Sequence, residues 1–465
     1  TSGGERWLFI ATMGDAAGPL LRNIALAALL APSDFGIAIA LTVVIGIIEI
    51  LSDVGLPVYV IRRPMGWRLS ETLATLHTLA LVRACLLGAI LTVSAPVLAS
   101  LLQAEAATAS FALLGIIAAL RGFENLGVKA LLRTGRYTRE ATVLATSQIL
   151  LVSVTVLAAA VTQNHTCIVW GLLAHALGVV VLSHVLSRRR WYLGWNAKLG
   201  KEVLTFGWPM LLNGAAAAAA SGDRFIVGNV LGPAALAHYS VAVGSAMLPK
   251  SVLSRFLTST FVPRFARAAP SQSRTCILAD SWAFCLSAMA FGIGLALAIW
   301  GGPVLGLIFG AAYQPTPPFM AALGFAVAIR ILLLLPVPLS IARGDTRMVA
   351  GTSLASAIAV LISAPVLIAT DSTVHFLLAQ ATVEYAALAW FVWRALDRDA
   401  FRPALLATVV LAPPALLAML AIAATNVGAW IDPAAATAAV AVLSYVAGYA
   451  AIRQAFRIEV KAAVR

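Results

Sequence analysis

Seven basic residues stand inside apolar stretches of this sequence, where a charge is costly. They are Arg22, Arg83, Arg121, Arg224, Lys250, Arg255 and Arg330. A charge at the centre of a lipid-facing helix costs roughly 2.5–3.5 kcal/mol, so most of the set must face protein or water. Six of the seven are arginines, whose planar guanidinium matches the oxygens of a phosphate group. These residue types predict a water-filled basic cavity that binds a large anion such as a pyrophosphate group.

Acidic residues lie in or beside the same stretches. Asp15, Glu49, Asp53, Glu124 and Asp223 are the candidates for coupling transport to an ion gradient or to the membrane potential, and Asp280 and Glu384 are the other acids there. The competing interpretation is that the buried charges are interhelical ion pairs that only hold the helices together. Arg121 and Glu124, for example, are three residues apart and would neutralise each other on one helix face. Basic residues recur at related positions of both halves, which favours a shared cavity.

Motifs of soluble enzymes are absent from the sequence. It contains no Walker loop, no GxSxG, no HExxH and no Gly-rich dinucleotide fingerprint. The four cysteines, Cys85, Cys167, Cys276 and Cys285, form no CxxC pair and lie near no histidine at ligand spacing. We therefore expect a protein that is not an enzyme, with no metal site and no cofactor.

The composition indicates that these charged groups belong to a membrane protein. Hydrophobic residues make up 61% of the chain and charged residues only 11%, against about a quarter in soluble domains. Most of the outer surface must therefore face lipid. The net charge of +13 is attributed mainly to basic cytoplasmic loops, and not to a nucleic-acid partner.

Fourteen apolar segments are long enough to span a bilayer. They are residues 7–30, 35–61, 72–102, 108–132, 141–161, 167–186, 203–230, 235–262, 277–309, 319–342, 349–369, 374–393, 404–424 and 434–452. Lys and Arg occupy alternate loops, and the intervening loops have none (31–34, 103–107, 162–166, 231–233, 310–318, 370–372 and 425–433). This alternation predicts an all-α polytopic protein of about 14 transmembrane helices in the bacterial inner membrane, with both termini cytoplasmic.

A repeat at an offset of six helices divides these spans. Arg22 before Pro32 recurs as Arg224 before Pro233, and Arg121 of the fourth span recurs as Arg330 of the tenth. Because the offset is even, the halves run parallel, related by an axis along the membrane normal. The predicted divisions are an N-terminal lobe (1–187), a basic, Trp-rich cytoplasmic interfacial linker (188–202), a C-terminal lobe (203–396), and two extra helices with a basic tail (397–465).

Two hairpins carry a resemblance to a known family. Residues 29–36 with 49–56, and residues 222–228 with 231–233 and 238–240, resemble hairpins of the polysaccharide-transporter (oligosaccharide flippase) family. That family belongs to the multidrug/oligosaccharidyl-lipid/polysaccharide exporter superfamily. The resemblance implies a V-shaped pair of six-helix lobes around a cationic cavity. It also implies translocation of undecaprenyl-pyrophosphate-linked oligosaccharide by alternating access, for exopolysaccharide, capsule or O-antigen (lipopolysaccharide) synthesis.

The partners implied are the polyprenyl-pyrophosphate-linked glycan, membrane lipids, and the polysaccharide polymerase with its chain-length machinery, but no nucleic acid. An ion-coupled small-molecule or multidrug antiporter of the same superfamily is the alternative function. A major facilitator is disfavoured because residues 61–68 lack the Gly-x-x-x-Asp-Arg-x-Gly-Arg-Arg run of that class. A membrane glycosyltransferase or polymerase would need a large outer loop with catalytic acids, and the outer loops here are short or uncharged.

Overall fold

The computed structural model of the chain describes residues 2–62, 69–251, 253–254, 261, 264–265, 272–343 and 346–396. Its helices are α1 (Ser2–Leu29), α2 (Pro32–Leu51), α3 (Leu56–Arg62), α4 (Leu69–Leu101), α5 (Thr108–Arg121), α6 (Gly127–Leu132), α7 (Thr138–Thr162), α8 (Thr166–Leu186), α9 (Ala197–Ala220), α10 (Asp223–Ala246), α11 (Gln272–Phe309), α12 (Pro317–Leu332), α13 (Val337–Arg343), α14 (Thr346–Thr370) and α15 (Thr373–Leu396). Two 3₁₀ turns, Glu105–Ala107 and Ala311–Tyr313, complete the regular structure of these ranges. The predicted all-α fold is confirmed. The predicted spans 404–424 and 434–452 lie outside the described residues.

Seven helical segments of the described part are long and apolar enough to cross a membrane. They are Pro32–Leu51, Leu69–Leu101, Thr138–Thr162, Thr166–Leu186, Ala197–Ser251, Cys285–Phe309 and Ala350–Thr370, and Pro317–Leu332 is a shorter apolar helix. Two other predicted spans, 108–132 and 319–342, are interrupted by turns, which divide them into pieces shorter than a membrane span.

The chain forms two compact units, Thr1–Ser240 and Val241–Arg465, called here the first and second units. In the first unit α7 packs against α1 and α8, α4 packs against α5, and α2 packs against α9. In the second unit α12 packs against α11 and α15, and α14 packs against α15. The division into lobes, linker and appended helices stays a prediction.

The predicted second span, 35–61, is two helices and not one. α2 ends at Leu51 and α3 begins at Leu56. Between them Gly55 has a φ of 65°, a value that glycine adopts without strain. The Asp53 carboxylate accepts the Gly55 N–H at 2.9 Å, so the donor freed by the turn is satisfied inside the protein. Such satisfaction is what allows a helix to break within a membrane span.

The predicted fourth span, 108–132, is broken in the same way. α5 ends at Arg121, and α6 follows after a short turn. Asn125 Oδ1 accepts the N–H of Gly127 at 2.9 Å, and His77 Nε2 accepts the N–H of Leu126 at 3.1 Å. Both donors at the start of α6 therefore have partners.

In the second unit, the predicted tenth span, 319–342, divides into α12 and α13. Every α12 residue from Phe319 to Leu332 is buried, as expected of a helix that is apolar almost all round. The turn after α12 is held by Trp282 of α11, whose Nε1–H donates to the carbonyl of Leu335 at 2.8 Å. The fourth and tenth spans, which the repeat relates, thus share a break shortly after their arginine.

The N-terminal turn of α2 meets a kink in α10 at very close range. Gly232 has a φ of 82°, and Pro233 follows it inside α10. The carbonyl oxygen of Pro233 occupies the space that a side chain at Gly36 would need. The two proline-containing segments that the repeat relates therefore contact each other through backbone.

The first prediction concerns this contact. We expect Gly36→Ala to lower the free energy of unfolding by about 1–3 kcal/mol, because the added methyl group overlaps the Pro233 carbonyl and forces the helices apart. Gly46→Ala on the same helix is the matched control, since nothing lies within 4 Å of its missing Cβ. The control should be neutral or stabilising by up to about 1 kcal/mol. Thermal unfolding in detergent measures both, and equal behaviour of the two variants would contradict the contact.

Candidate functional site

A cavity of about 300 Å³ lies in the first unit, where α2 and α5 end. Its charged lining residues are Glu49, Asp53, Arg83, Arg121 and Glu124. The last carbonyl groups of a helix carry partial negative charge, which attracts cationic side chains. Accordingly, Arg83 Nη1 donates to the carbonyl of Ser52, just after α2, at 3.1 Å. The helix breaks therefore bring predicted cavity arginines and predicted coupling acids together.

Both cavity arginines have carboxylate partners from the α2 segment. Arg121 pairs with Glu49, and Arg83 Nη1 lies 3.8 Å from Asp53 Oδ1. The side chains of Arg83 and Arg121 are 35% and 36% exposed, and those of Glu49 and Asp53 are 33% and 54% exposed. These are partly solvated ion pairs, so the competing interpretation of interhelical pairing describes their geometry.

Glu124 is not on the helix that carries Arg121, and that prediction was wrong. α5 ends at Arg121 and α6 begins at Gly127, so Glu124 lies in the segment that connects them. Its carboxylate lies 3.5 Å from Lys129 Nζ, and Lys129 also pairs with Glu140 of α7. Sequence reasoning missed Lys129 and Glu140. The available signal was a lysine inside an apolar span and a glutamate at the start of the next one.

The second unit contains a more deeply buried pair. Arg330 Nε donates to both oxygens of the Glu384 carboxylate at 3.1 and 3.0 Å, and Arg330 Nη2 donates to Gln380 Oε1 at 2.6 Å. Glu384 and Gln380 are fully buried, and Arg330 is 8% exposed. Lys250 lies close enough to interact electrostatically with Arg330 and Glu384. The structure therefore brings two of the predicted basic residues together here.

The remaining predicted residues lie elsewhere. Arg22 is buried in α1, hydrogen-bonds to Asn23, and does not line the cavity of the first unit. Asp223 is buried at the start of α10, where it accepts the hydroxyl of Tyr239 at 3.0 Å and the N–H of Arg224 at 2.8 Å. Asp15 lies in α1, and Asp280 in α11. Arg255 lies outside the described residues. Their roles stay predictions.

Within the described ranges, no group of three or more His, Cys, Asp or Glu side chains could hold a metal ion. Of the four cysteines, Cys85, Cys167 and Cys285 are described, and all three are free thiols.

The second prediction separates the buried pair from the solvated ones. Glu384→Gln should lower the free energy of unfolding by about 3–5 kcal/mol, because it leaves the Arg330 charge buried without a counter-ion. Asp53→Asn removes an exposed partner of Arg83 and should cost about 0–1 kcal/mol. The double variant Arg330→Gln/Glu384→Gln should recover much of the loss. Urea or thermal unfolding in detergent measures the three variants, and equal losses for the two single variants would contradict this assignment.

Comparisons with known proteins agree with the fold and identify the family. The family described as "Polysaccharide biosynthesis protein" matches residues 25–318. A structure of the lipid II flippase MurJ in an inward closed conformation superimposes with a TM-score of 0.71 at 10% identity, covering 97% of this chain and 99% of that one. A multidrug resistance MATE transporter in an inward-facing conformation gives 0.58 at 15% identity, covering 82% of this chain and 96% of that one.

A third solved structure, a MOP superfamily transporter from Pyrococcus furiosus, gives a TM-score of 0.52 at 15% identity and covers 89% of this chain and 94% of that one. Identities this low support the fold alone. No curated protein sequence matches the chain. The family match spans more than half of the chain, and the resemblance predicted from the two hairpins is confirmed. The chain is a polytopic membrane protein with the MOP transporter fold, and it belongs to the polysaccharide biosynthesis protein family.

Proposed function

We propose that this protein is a flippase that moves an undecaprenyl-pyrophosphate-linked oligosaccharide across the bacterial inner membrane for surface polysaccharide synthesis. The observation that carries the proposal is the cavity of the first unit, which is lined by two arginines whose side chains are 35% and 36% exposed, close to the breaks that follow α2 and α5. Family membership supports the link to polysaccharide synthesis.

The cavity arginines are held by partners that an anionic cargo could replace. Ion pairs at a protein surface contribute only about 0–1 kcal/mol each, and the partly exposed pairs Arg121–Glu49 and Arg83–Asp53 should open at a lower cost than a fully buried pair. A pyrophosphate group carries more negative charge than one carboxylate and offers oxygens for bidentate contact with guanidinium groups.

The size of the cavity indicates which part of the cargo it would take. About 300 Å³ is at the lower end of the range for small-molecule pockets. Such a volume suits one compact anionic group and not a whole glycan or a polyprenyl chain. We therefore assign the pyrophosphate to this cavity and leave the sugar and the lipid tail to other surfaces.

The basic residues of the second unit would act differently. Arg330 is held on two sides by buried Glu384 and Gln380, so we propose that it has a structural role and a fixed charge. Lys250, which lies near this pair, stays a proposed substrate-binding residue, as do Arg22, Arg224 and Arg255. Translocation in this scheme is alternating access without a catalytic step, with both termini in the cytoplasm and an ion gradient or the membrane potential as the driving force.

A second candidate function is an ion-coupled multidrug antiporter. The observation that favours it is the presence of Glu49, Asp53 and Glu124 in the same cavity wall, since carboxylates would attract a cationic drug. The two candidates differ in which charges the cargo needs. The flippase needs the arginines at their positions, whereas the antiporter needs the carboxylates.

The third prediction uses a charge exchange to separate substrate binding from structural pairing. In a strain that lacks the chromosomal copy, Arg121→Gln should reduce glycan export by at least about tenfold, because a hydrogen bond to a charged group is worth about 1.5–3 kcal/mol. The exchanged variant Glu49→Arg/Arg121→Glu keeps an ion pair between α2 and α5. It should reach the membrane in normal amount and still fail to export glycan.

Export is measured as surface glycan, together with lipid-linked glycan that accumulates inside. Arg190→Gln, on the exposed linker, is the matched control and should export normally. If the exchanged variant exports glycan like the unmodified protein, Arg121 is a structural residue and the flippase mechanism at this cavity is wrong. Loss of drug efflux in Glu49→Gln with intact glycan export would instead favour the antiporter.

A further inference from the structure

Lys129 of α6 lies between two carboxylates, close to the turn that connects α6 and α7 in the first unit. Its Nζ pairs with Glu140 of α7 and lies 3.5 Å from Oε1 of Glu124, in the turn before α6. The side chains are shielded from solvent: Glu140 is 5% exposed, Lys129 18% and Glu124 23%. Lys129 and Glu140 of this cluster are accounted for neither by the sequence motifs nor by the proposed cargo site.

The charges of this cluster do not balance. One ammonium group can neutralise one carboxylate, and the cluster holds two. Glu140 Oε2 is buried and has no hydrogen-bond partner among the described residues. Lys129 and Glu124 are the charged groups that act on Glu140 electrostatically in the described part of the chain. When two buried carboxylates share one site, uptake of a proton by one of them removes the excess charge.

The cluster is also connected to the cavity. Glu124 belongs to the cavity wall together with Arg83 and Arg121. The same carboxylate is one of the two partners between which Lys129 is shared. The position of the lysine therefore decides how much negative charge Glu124 presents to the cavity.

We propose that Glu140 is a proton-binding site, and that its proton sets the charge of the cavity through Lys129 and Glu124. The proton binds to the Glu140 carboxylate and converts it to a neutral acid. Lys129 is then held mainly by Glu124 and neutralises it. The charges that remain in the cavity wall are then two carboxylates, Glu49 and Asp53, and two guanidinium groups, Arg83 and Arg121. The cavity therefore binds an anion more tightly when Glu140 is protonated than when it is deprotonated. The arginine-rich α6–α7 turn is predicted to be cytoplasmic, so the proton comes from that side.

The proton site itself does not depend on the proposed function, whereas its effect on an anion rests on it. Two measurements on the full-length protein in detergent keep the two parts distinct. The first follows the proton, and the second follows the binding of inorganic pyrophosphate.

The fourth prediction concerns stability against pH. The folded protein holds a proton on Glu140 that the unfolded chain releases, so this group makes the melting temperature fall as pH rises. Glu140→Gln should remove that component and stay close to the low-pH stability of the unmodified protein. Glu124→Gln should remove it as well, because one lysine then serves one carboxylate. Glu105→Gln, an exposed acid in the Glu105–Ala107 turn, is the matched control and should keep the full pH dependence.

Infrared difference spectra of the unmodified protein test the same site without any variant. A glutamate-specific ¹³C label should shift a carbonyl band of a protonated carboxylic acid that disappears as pH rises. Absence of such a band overturns the proposal, and so does a pH profile of Glu140→Gln that coincides with that of Glu105→Gln.

The fifth prediction concerns pyrophosphate. At one neutral pH, Glu140→Gln should bind inorganic pyrophosphate at least about fivefold more tightly than the unmodified protein, a typical size for coupling between two sites. Comparison at a single pH removes the titration of pyrophosphate itself, and Glu105→Gln should match the unmodified protein. Equal affinities alongside an intact proton signal overturn the link to the cavity. Normal glycan export by the exchanged variant of the third prediction, with this link intact, overturns only the assigned cargo.

Discussion

The structure depends on one constraint: a backbone N–H or carbonyl group within a membrane span must find its partner inside the protein. The turns that interrupt the second and fourth spans exist because Asp53, Asn125 and His77 accept the donors that the missing helical turns release. These breaks also end α2 and α5 at one place. A cavity with carbonyl groups and charged side chains in its wall follows from that meeting of helix ends.

The same constraint explains why charges are tolerated there. Arg83 donates to the carbonyl of Ser52, so the guanidinium satisfies a backbone acceptor as well as facing Asp53. An arginine that donates a hydrogen bond to a carbonyl group at a helix end is already partly desolvated and oriented before any ligand binds. Such an arrangement reduces the reorganisation that binding would require, since the donors are positioned by the fold and not by the ligand.

Hydropathy and loop charge were sufficient to predict most helices, because a continuous apolar segment forms a spanning helix on the basis of its own residues. The predicted spans 141–161 and 167–186 differ by a few residues at most from Thr138–Thr162 and Thr166–Leu186. The breaks could not be predicted, because a window of about twenty residues averages over a turn as short as Ser52–Gly55. The partner of Arg121 is Glu49, 72 residues earlier, and only the packing of α2 near α5 reveals it. Lys129 and Glu140, 11 residues apart, pair because the chain reverses between α6 and α7.

The repeat makes Arg121 and Arg330 comparable, and their counter-ions come from different helices. Arg121 pairs with Glu49 on α2, whereas Arg330 pairs with Glu384 on α15.

The two ion pairs also differ in how deeply they are buried. Glu384 is fully buried and shares Arg330 with Gln380, whereas Glu49 is 33% exposed beside a cavity. A buried pair resists opening because separation would leave a desolvated charge, and a solvated pair does not. The sequence repeat therefore does not imply a functional repeat at this arginine. The guanidinium groups of Arg83 and Arg121 are partly exposed at a cavity, whereas that of Arg330 is buried between Glu384 and Gln380.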